Sequence, residues 1–416
     1  MRYRINEQVV LVCMPKDGPE GPLAPYLRSF ARFLSQQGYT RVYLRRHLML
    51  AARLSRWLER RHIRCRCLTS EHASKYLRCR YRDRQANEGD SAVLSHLIGF
   101  LRTKRVILGA KISAPPSLPA ERCARGYEQY LREDRALARA TIINYVPFIA
   151  DFLKDRFGAR AVRLSGLKAA DVVRFVQSRA RCLHVKRAKV MTTALRSFFQ
   201  YARMRGEVTL DLAAAVPIVA SWSMASIPWA IAPEQTRRLL ASIDRKTAIG
   251  RRDYAVVLVL ARLGLRSGEV ARLELGDIDW SAGQLSVRGK GSRRSEMPLP
   301  IDVGRAIAAY LRHGRPQCSS RRVFMRSKAP VRGFLGASGV GSIVRHRLQR
   351  AGITAPTDGA HQFRHGLASD MLRQGASLAE IGAVLGHHHP DTTRIYTKID
   401  LKALHTLAQP WPGGVQ

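Results

Sequence analysis

Apolar residues recur every three or four positions over most of the first 210 residues, which is the spacing of amphipathic helices. Between Tyr127 and Phe157 the pattern predicts two helices that meet at a turn. Ser165 is placed to cap a third helix, with Val172 and Phe175 facing inward. A fourth helix is predicted over residues 190–199. Together these segments predict a compact helical domain of about a hundred residues.

The first 115 residues repeat this pattern. Trp57 matches Phe152 at an offset of 95 residues, and Leu97 matches Leu195 at an offset of 98. Such a fixed offset predicts a duplicated helical module. Two unrelated helical bundles could give the same match by chance, so both interpretations stay open.

The stretch from Leu212 to Pro233 has no charged residue and is about long enough to span a bilayer. It also contains three prolines and several serines around Trp222, which break a helix and lower its hydrophobicity. We therefore interpret it as an interdomain linker.

The pattern changes after this linker. An apolar helix from Asp253 to Leu265 stops at Gly264. Three short segments separated by turn residues then predict an antiparallel sheet: residues 277–280, 284–288 and 295–299. Helices resume from Asp302. The second half is therefore predicted to be mainly helical with one small sheet.

The chain has 71 lysines and arginines against 31 aspartates and glutamates, a net charge of +40. Residues 1–120 carry 23 basic and 8 acidic residues, so the excess is not confined to one tail. Self-repulsion at this charge disfavours a compact state unless a polyanion relieves it. Nucleic acid is the first candidate partner.

The seven cysteines are an odd number without framework spacing, which predicts reduced thiols in a cytosolic protein. Cys65, Cys67, Cys79, His62 and His72 lie close in sequence, but they lack the repeated ligand pair of a zinc site. We expect no metal and no cofactor. The first residues, Met-Arg-Tyr-Arg-Ile-Asn-Glu, lack the apolar segment of a signal peptide.

Five short stretches in the second half fit one reaction. They supply two fixed cations, a proton donor, two imidazoles and a phenol, which suit attack on a phosphodiester without a metal. These residues are Arg266, Lys290, His361 with Arg364, His387 and Tyr396. Each one alone has an ordinary structural explanation, and only the ordered set is specific.

Lys290 lies between two glycines at the predicted tip of a hairpin, where its ammonium could protonate a departing oxygen. Arg288, Arg293 and Arg294 make the same tip basic enough to follow a phosphate backbone, so they are candidate DNA-binding residues. Arg266 follows a buried helix and would bind a phosphate bidentately. Glu269 is expected to be a structural partner for the loop.

His361 and Arg364 are three residues apart and share a helix face, whereas His365 is expected to point elsewhere and to be structural. Gly386 is predicted to cap a helix immediately before His387. His388 and His389 follow, so which imidazole acts stays open.

In this order and context the residues resemble the active site of the tyrosine recombinases, the phage integrase family. The resemblance covers roughly residues 120–405, with its core between Arg266 and Tyr396. It implies a mainly α fold: one or two helical SAM-like core-binding domains, then an α-rich catalytic domain with a small antiparallel sheet.

The expected domains are an additional N-terminal helical domain (1–115), a core-binding domain (118–210), a linker (211–232) and a catalytic domain with a C-terminal tail (233–416). If the first domain is a duplicate, it would be a second DNA-gripping arm; otherwise it would serve packing or dimerisation. Residues 401–407 are predicted to form a short helix that docks on a neighbouring protomer.

The resemblance implies that Tyr396 attacks DNA and forms a 3′-phosphotyrosyl intermediate, as in integration, excision or transposition of a mobile element. It assigns phosphate binding to Arg266 and Arg364, and proton transfer or phosphate contacts to Lys290, His361 and His387. Double-stranded DNA, a homotetrameric synapse and related recombinase subunits are the expected partners, in the bacterial cytoplasm at the nucleoid. A type IB topoisomerase and a catalytically inactive architectural DNA-binding protein remain alternatives.

Overall fold

The computed structural model describes residues 13, 20–82, 89–107, 118–220, 229–289, 294–386 and 390–399. The chain divides into two compact units. One comprises Met1–Gly109 with Ser226–Gln416, and the other comprises Ala110–Ala225. The domain boundaries expected from the sequence stay a prediction.

Residues 20–107 form a first helical bundle. Its elements are α1 (Ala24–Gln36), α2 (Arg41–Glu59), a 3₁₀ turn (Cys65–Cys67), α3 (Ser70–Arg82) and α4 (Asp90–Thr103). Apolar side chains from every helix meet in one core that includes Leu27, Phe30, Leu54, Leu97 and Phe100. The bundle therefore has a hydrophobic core of its own.

The first bundle also contacts a segment of the C-terminal region. The backbone N–H of Val331 donates to the carbonyl of Gln37 at 2.8 Å. A Cβ added to Gly38 would lie 2.5 Å from Val331 Cγ2, so the two chains approach closely at this point. This contact fits their membership of one compact unit.

Residues 118–216 form a second helical bundle. Its elements are α5 (Pro119–Glu133), α6 (Arg139–Phe157), a 3₁₀ turn (Leu164–Gly166), α7 (Ala169–Ala180) and α8 (Val185–Met204). The predicted helices are confirmed.

The predicted cap at Ser165 is wrong. Ser165 lies exposed in the 3₁₀ turn, and α7 begins later, at Ala169. The carboxylate of Asp171 accepts the Lys168 backbone N–H at 3.1 Å, so the N-terminus is satisfied from inside the helix.

The C-terminal region, residues 229–399, is mainly helical and contains one three-stranded sheet, as the resemblance implied. Its order is α9 (Pro233–Ala241), α10 (Ala248–Leu263), α11 (Ser267–Arg272), β1 (Ile278–Asp279), β2 (Gln284–Arg288), β3 (Arg294–Pro298), α12 (Ile301–His313), α13 (Ala337–Arg350), α14 (His361–Arg373), α15 (Leu378–Leu385) and α16 (Pro390–Thr393). A 3₁₀ segment, Arg394–Ile399, follows α16.

The sheet is antiparallel in the order β1-β2-β3, with Ile278 paired to Leu285 and Leu285 paired to Met297. Leu285 and Val287 are buried, while Gln284, Ser286 and Arg288 are more exposed. This is the alternation of a strand with one covered face. α10 lies at the centre of the core: residues 255–260 are all buried. A rigid helix therefore ends next to the predicted Arg266.

A buried ion cluster joins α10 to α13. Arg252 donates to Asp253 Oδ1 through Nε and Nη2 at 2.8 and 2.7 Å. Arg347 donates to Asp253 Oδ2 through Nε at 2.7 Å. All three residues are less than a tenth exposed, so one carboxylate balances two buried guanidinium groups.

All seven cysteines are free thiols. No helix within the described ranges is long and apolar enough to cross a membrane. Nor do these ranges contain a cluster of three or more His, Cys, Asp or Glu side chains able to hold a metal ion.

Asp253→Asn is expected to destabilise the C-terminal region by about 3–5 kcal/mol, because it leaves two buried guanidinium groups without a counter-charge. Urea unfolding, followed by circular dichroism, measures the change. Asp358→Asn, which removes an exposed partner of Arg345, is the matched control with an expected change of about 0–1 kcal/mol. Equal effects in the two variants would contradict the importance of the buried cluster.

Candidate active site

The end of α10 fixes the first cation of the site. Gly264 caps the helix with a φ of +60°, and a Cβ there would come within 2.8 Å of Leu385 Cδ2. Both the left-handed backbone and the close approach of a neighbouring helix favour glycine. The chain then turns sharply, so Arg266 lies immediately before α11.

Glu269 orients Arg266. Its carboxylate accepts the Arg266 backbone N–H at 2.7 Å and the side-chain Nη1–H at 2.8 Å. The Glu269 side chain is only 5% exposed, while that of Arg266 is 37% exposed. The expectation that Glu269 is a structural partner is confirmed: it holds one side of a guanidinium whose other side stays accessible.

Arg364 supplies a second, buried cation. It lies in the first turn of α14 and is 3% exposed. Its Nη1 donates to the Gly264 carbonyl at 2.8 Å, and its Nη2 donates to the Leu385 carbonyl. These carbonyls belong to the C-terminal ends of α10 and α15, where the helix dipole favours a cation. Arg364 therefore ties three helices together at one point.

The two arginines lie close enough to affect each other. Burial, together with the charge of Arg266, lowers the pKa of Arg364 to about 10, while Glu269 and Tyr396 act in the opposite direction. At neutral pH Arg364 is still charged. Two guanidinium groups held together without a full set of counter-charges favour an anion between them.

A small cavity lies between these groups. Its volume is about 120 Å³, and its polar lining comes from Arg266, Glu269, Arg294 and Arg364. Ligand pockets for whole small molecules are typically about 300–1,000 Å³, so this cavity suits a group the size of a phosphate. Arg294, predicted as a DNA-binding residue of the hairpin, thus lies beside both core arginines.

Tyr396 lies in the 3₁₀ segment Arg394–Ile399 and is 1% exposed. Its ring packs in a small cluster with Ala368, Ile381 and Leu385. Burial raises the pKa of the phenol to about 12, although the charges of Arg364 and Arg266 both lower it. The phenol is therefore near both cations but protonated and covered.

His365 contacts the phenol directly, and the prediction that it points elsewhere is wrong. Its Nδ1 lies 3.0 Å from the Tyr396 hydroxyl. Burial, with the charges of His361 and Arg364, lowers the pKa of His365 to about 4. The imidazole is neutral at neutral pH, so Nδ1 and the phenol share one hydrogen bond whose direction is set by the histidine tautomer. The sequence signal that could have placed His365 at the site was its spacing of four residues from His361. That spacing places the two histidine side chains on one helix face.

His361 stacks on His365 with ring centroids 5.6 Å apart, and it is exposed at the start of α14. The structure thus brings four predicted residues into one region: Arg266, Arg364, His361 and Tyr396. Arg288 is the cross-strand partner of Arg294, and its guanidinium pairs with Glu274 and Asp277 at 3.3 Å each. Lys290, Arg293 and His387, with the predicted helix 401–407, lie outside the described residues. Gly386, the predicted cap, has a φ of +62° and is confirmed as the C-cap of α15.

Two family profiles match the sequence. The Phage integrase family matches residues 230–402, and the N-terminal SAM-like domain of phage integrases matches residues 124–206. These ranges cover the C-terminal region and most of the second helical bundle.

Among solved structures, the fold is similar to that of XerH site-specific recombinase bound to palindromic difH substrate, with a TM-score of 0.55 and 19% identity over 76% of this chain and 94% of that one. It is also similar to a lambda integrase (75-356) dimer bound to a COC' core site, with a TM-score of 0.52 and 16% identity over 67% of this chain and 94% of that one. Both comparisons show a shared fold.

Similarity in sequence extends further. The chain is 54% identical over 417 residues, and over the full length of both proteins, to y4rA of Sinorhizobium fredii, which is named as an integrase/recombinase. It is 26% identical to tyrosine recombinase XerC of Anoxybacillus flavithermus, over 65% of this chain and 91% of the relative. On this evidence the chain belongs to the phage integrase family of tyrosine recombinases.

Proposed function

We propose that this protein cleaves and rejoins DNA strands at specific sites through a covalent link to Tyr396. The phenolic oxygen bonds to the scissile phosphorus, the bond from phosphorus to the 5′ oxygen breaks, and the 5′ hydroxyl leaves with a proton. The 3′-phosphotyrosyl link keeps the phosphodiester energy, so a partner 5′ hydroxyl can reverse the reaction without ATP or a metal. The observation that carries this proposal is a phosphate-sized cavity between Arg266 and Arg364, close to Tyr396.

The cavity gives the arginines distinct tasks. Arg266 is partly accessible and already oriented by Glu269, so it binds a nonbridging phosphate oxygen from the open side. Arg364 is buried with two of its five N–H groups used by helix carbonyls, and the others remain for the anion. Preorganised cations of this kind stabilise the charge that develops on a pentacovalent phosphorus. Arg294 adds a third positive charge from β3.

The resting arrangement holds the nucleophile inactive. Transfer of the phenol proton to His365 would move it from a group with a pKa of about 12 to a group with a pKa of about 4. A gap of this size costs on the order of 10 kcal/mol. A bound substrate phosphate raises the pKa of a nearby imidazole and interacts with the positive charge of the arginines. In-line attack also requires the 3₁₀ segment to move the buried ring of Tyr396 toward the cavity. DNA binding and nucleophile activation are thus coupled.

The remaining roles come from the sequence. Lys290 protonates the 5′ oxygen, and His361 and His387 contact the phosphate or assist proton transfer. Arg288 and Arg293 follow the DNA backbone near the hairpin. Two rounds of exchange between paired sites require four protomers, with related recombinases as further subunits. Integration, excision or transposition of a mobile element in the bacterial cytoplasm, at the nucleoid, is the biological use we propose.

Tyr396→Phe is expected to abolish the covalent adduct with a nicked duplex that carries the recombination site, while DNA binding persists, because only the nucleophilic oxygen is lost. Denaturing gel electrophoresis detects the adduct, and excess EDTA should leave the wild-type band unchanged. Tyr254→Phe on α10 is the matched control and should retain the adduct. An adduct that survives Tyr396→Phe would exclude this residue as nucleophile, and loss of the band in EDTA would contradict a metal-free reaction.

Glu269→Ala is expected to slow single-turnover cleavage by roughly 100-fold, because Arg266 loses the carboxylate that orients it and small displacements of a positioned group are costly. Glu269→Gln, which keeps one hydrogen-bond acceptor, should recover part of the rate. The control Glu234→Ala removes an exposed glutamate of α9 and should leave the rate unchanged. Wild-type rates in Glu269→Ala would show that Arg266 needs no such support.

The low pKa of His365 predicts acid sensitivity. Its pKa is about 4 in the folded protein and 6.5 ordinarily, so between these values the unfolded chain binds the proton more readily and stability falls as pH falls. His365→Gln should remove this contribution, which is at most about 3 kcal/mol. Urea unfolding at about pH 7 and about pH 5 measures it, with His313→Gln at the exposed end of α12 as control. An unchanged pH dependence in His365→Gln would contradict the assignment.

A further inference from the structure

The two helical bundles follow one plan. Each consists of two helices, a 3₁₀ turn and two more helices, in the same order. Corresponding elements begin 95 to 99 residues apart, from Ala24 and Pro119 to Cys65 and Leu164. Unrelated bundles can share a helix count, but this agreement extends to a three-residue turn.

Corresponding contacts also recur. Phe30 and Phe100 pack at a centroid distance of 5.3 Å, and Tyr127 and Phe198 pack at the same distance in the second bundle. The residue before α3 donates its backbone N–H to the side chain three positions later, Thr69 to His72 at 3.2 Å. Lys168 and Asp171 do the same before α7. We infer that residues 20–107 are a second copy of the fold that matches the SAM-like profile.

The copies differ on the surface of their second helix. In the first bundle, four exposed arginines of α2 and the arginine that follows its last residue lie on one side of the helix. We call them the arginine stripe: Arg41, Arg45, Arg53, Arg56 and Arg60. Arg46 is also exposed on α2, but it pairs with Asp90 and is not counted in the stripe. At 100° per residue the stripe residues fall within a sector of about 120° on one side of the helix. An offset of 98 residues places Arg139, Ile143, Asp151, Lys154 and Gly158 at these positions in the second bundle. All five positions are therefore arginine in the first bundle, whereas two of the five are basic in the second.

Most of the arginine stripe lacks an acidic partner among the residues that the structure describes. Within the described ranges, none of Arg41, Arg45, Arg56 and Arg60 forms an ion pair, and the buried side of α2 lies opposite them. Like charges four residues apart disfavour a helix, so the stripe is unfavourable unless an anionic partner covers it. A helix of 19 residues is about 28 Å long, and this length matches about eight base pairs of duplex.

We propose that the first bundle is a second DNA-binding module, whose arginine stripe contacts the phosphates of duplex DNA beyond the segment held by the second bundle and the C-terminal region. Guanidinium groups bind phosphate oxygens in this way regardless of base sequence. The stripe thus adds affinity and length of contact and has no part in the chemistry at Tyr396. The proposal rests on the DNA partner of the proposed function.

The test uses the full-length protein with four glutamines in the stripe: Arg45→Gln, Arg53→Gln, Arg56→Gln and Arg60→Gln. The matched control removes four exposed charges from other elements of the same bundle: Arg64→Gln, Arg66→Gln, Arg78→Gln and Lys104→Gln. Fluorescence anisotropy measures binding to a duplex of about 60 base pairs between about 0.1 and 0.5 M NaCl. Circular dichroism checks that each variant is folded.

The slope of log K against log salt is negative, and its magnitude should be smaller by about 3 in the stripe variant. Each lost phosphate contact removes nearly one released counterion. The control variant should change the slope by less than about 1. Hydroxyl-radical footprints of the stripe variant should be shorter by about eight base pairs. The same four positions changed to lysine should restore slope and footprint, since the charge returns.

A stripe variant with the slope and footprint of the wild type, or with no larger loss than the control, would overturn the proposal. So would a failure of the lysine variant to restore binding. Formation of the Tyr396 adduct at saturating protein should be equal in the stripe variant and the wild type. If the wild type forms no adduct but the stripe still sets the salt slope, the proposed function fails and the second DNA-binding module stands.

Discussion

The hydrogen bonds of Arg364 to two helix ends are the interaction on which the rest of the site depends. One buried guanidinium joins the carbonyls that end α10 and α15 to the start of α14. Among the described residues, four that carry proposed roles are connected to this point: Arg266 follows α10, His361 and His365 lie on α14, and Tyr396 packs in one cluster with Leu385 of α15. A cation buried in a helix junction usually needs a carboxylate. Here the carbonyl dipoles and Glu269 partly offset the charge of Arg364. Positive charge therefore remains available for an anion such as a phosphate.

The same burial keeps the phenol of Tyr396 protonated. A low-dielectric environment that strengthens the field of two arginines also raises the pKa of the phenol and lowers that of its histidine partner. Burial and the two arginines act on the pKa of Tyr396 in opposite directions, and the effect of burial is the larger one. Under the proposed function, a nucleophile that becomes reactive only when substrate phosphate binds would protect other DNA from unproductive cleavage.

The two helical bundles illustrate how a fold can be kept while its surface changes. Contacts such as those of Phe30 with Phe100 and of Tyr127 with Phe198 recur in their cores, because packing tolerates few alternatives once the helices and the turn between them are fixed. Exposed positions on the second helix are free of that constraint, and one copy has accumulated arginine at them. Net charge of +40 spread over several faces is thus not a uniform property of the chain but includes at least one ordered stripe on a single helix.

The sequence by itself predicted the helical bundles, the small sheet and the caps at Gly264 and Gly386, and it provided the candidate residues of the site, because periodicity, glycine conformation and ordered motifs are local properties. It missed the true start of α7, where an aspartate inside the helix replaced the serine cap, and it misplaced His365. Only the tertiary structure decided which imidazole contacts the phenol, that Arg364 donates hydrogen bonds to helix carbonyls, and that Tyr396 is buried. Those outcomes depend on how α10, α14 and α15 pack against one another, and burial and electrostatic fields arise from neighbours that are distant in sequence.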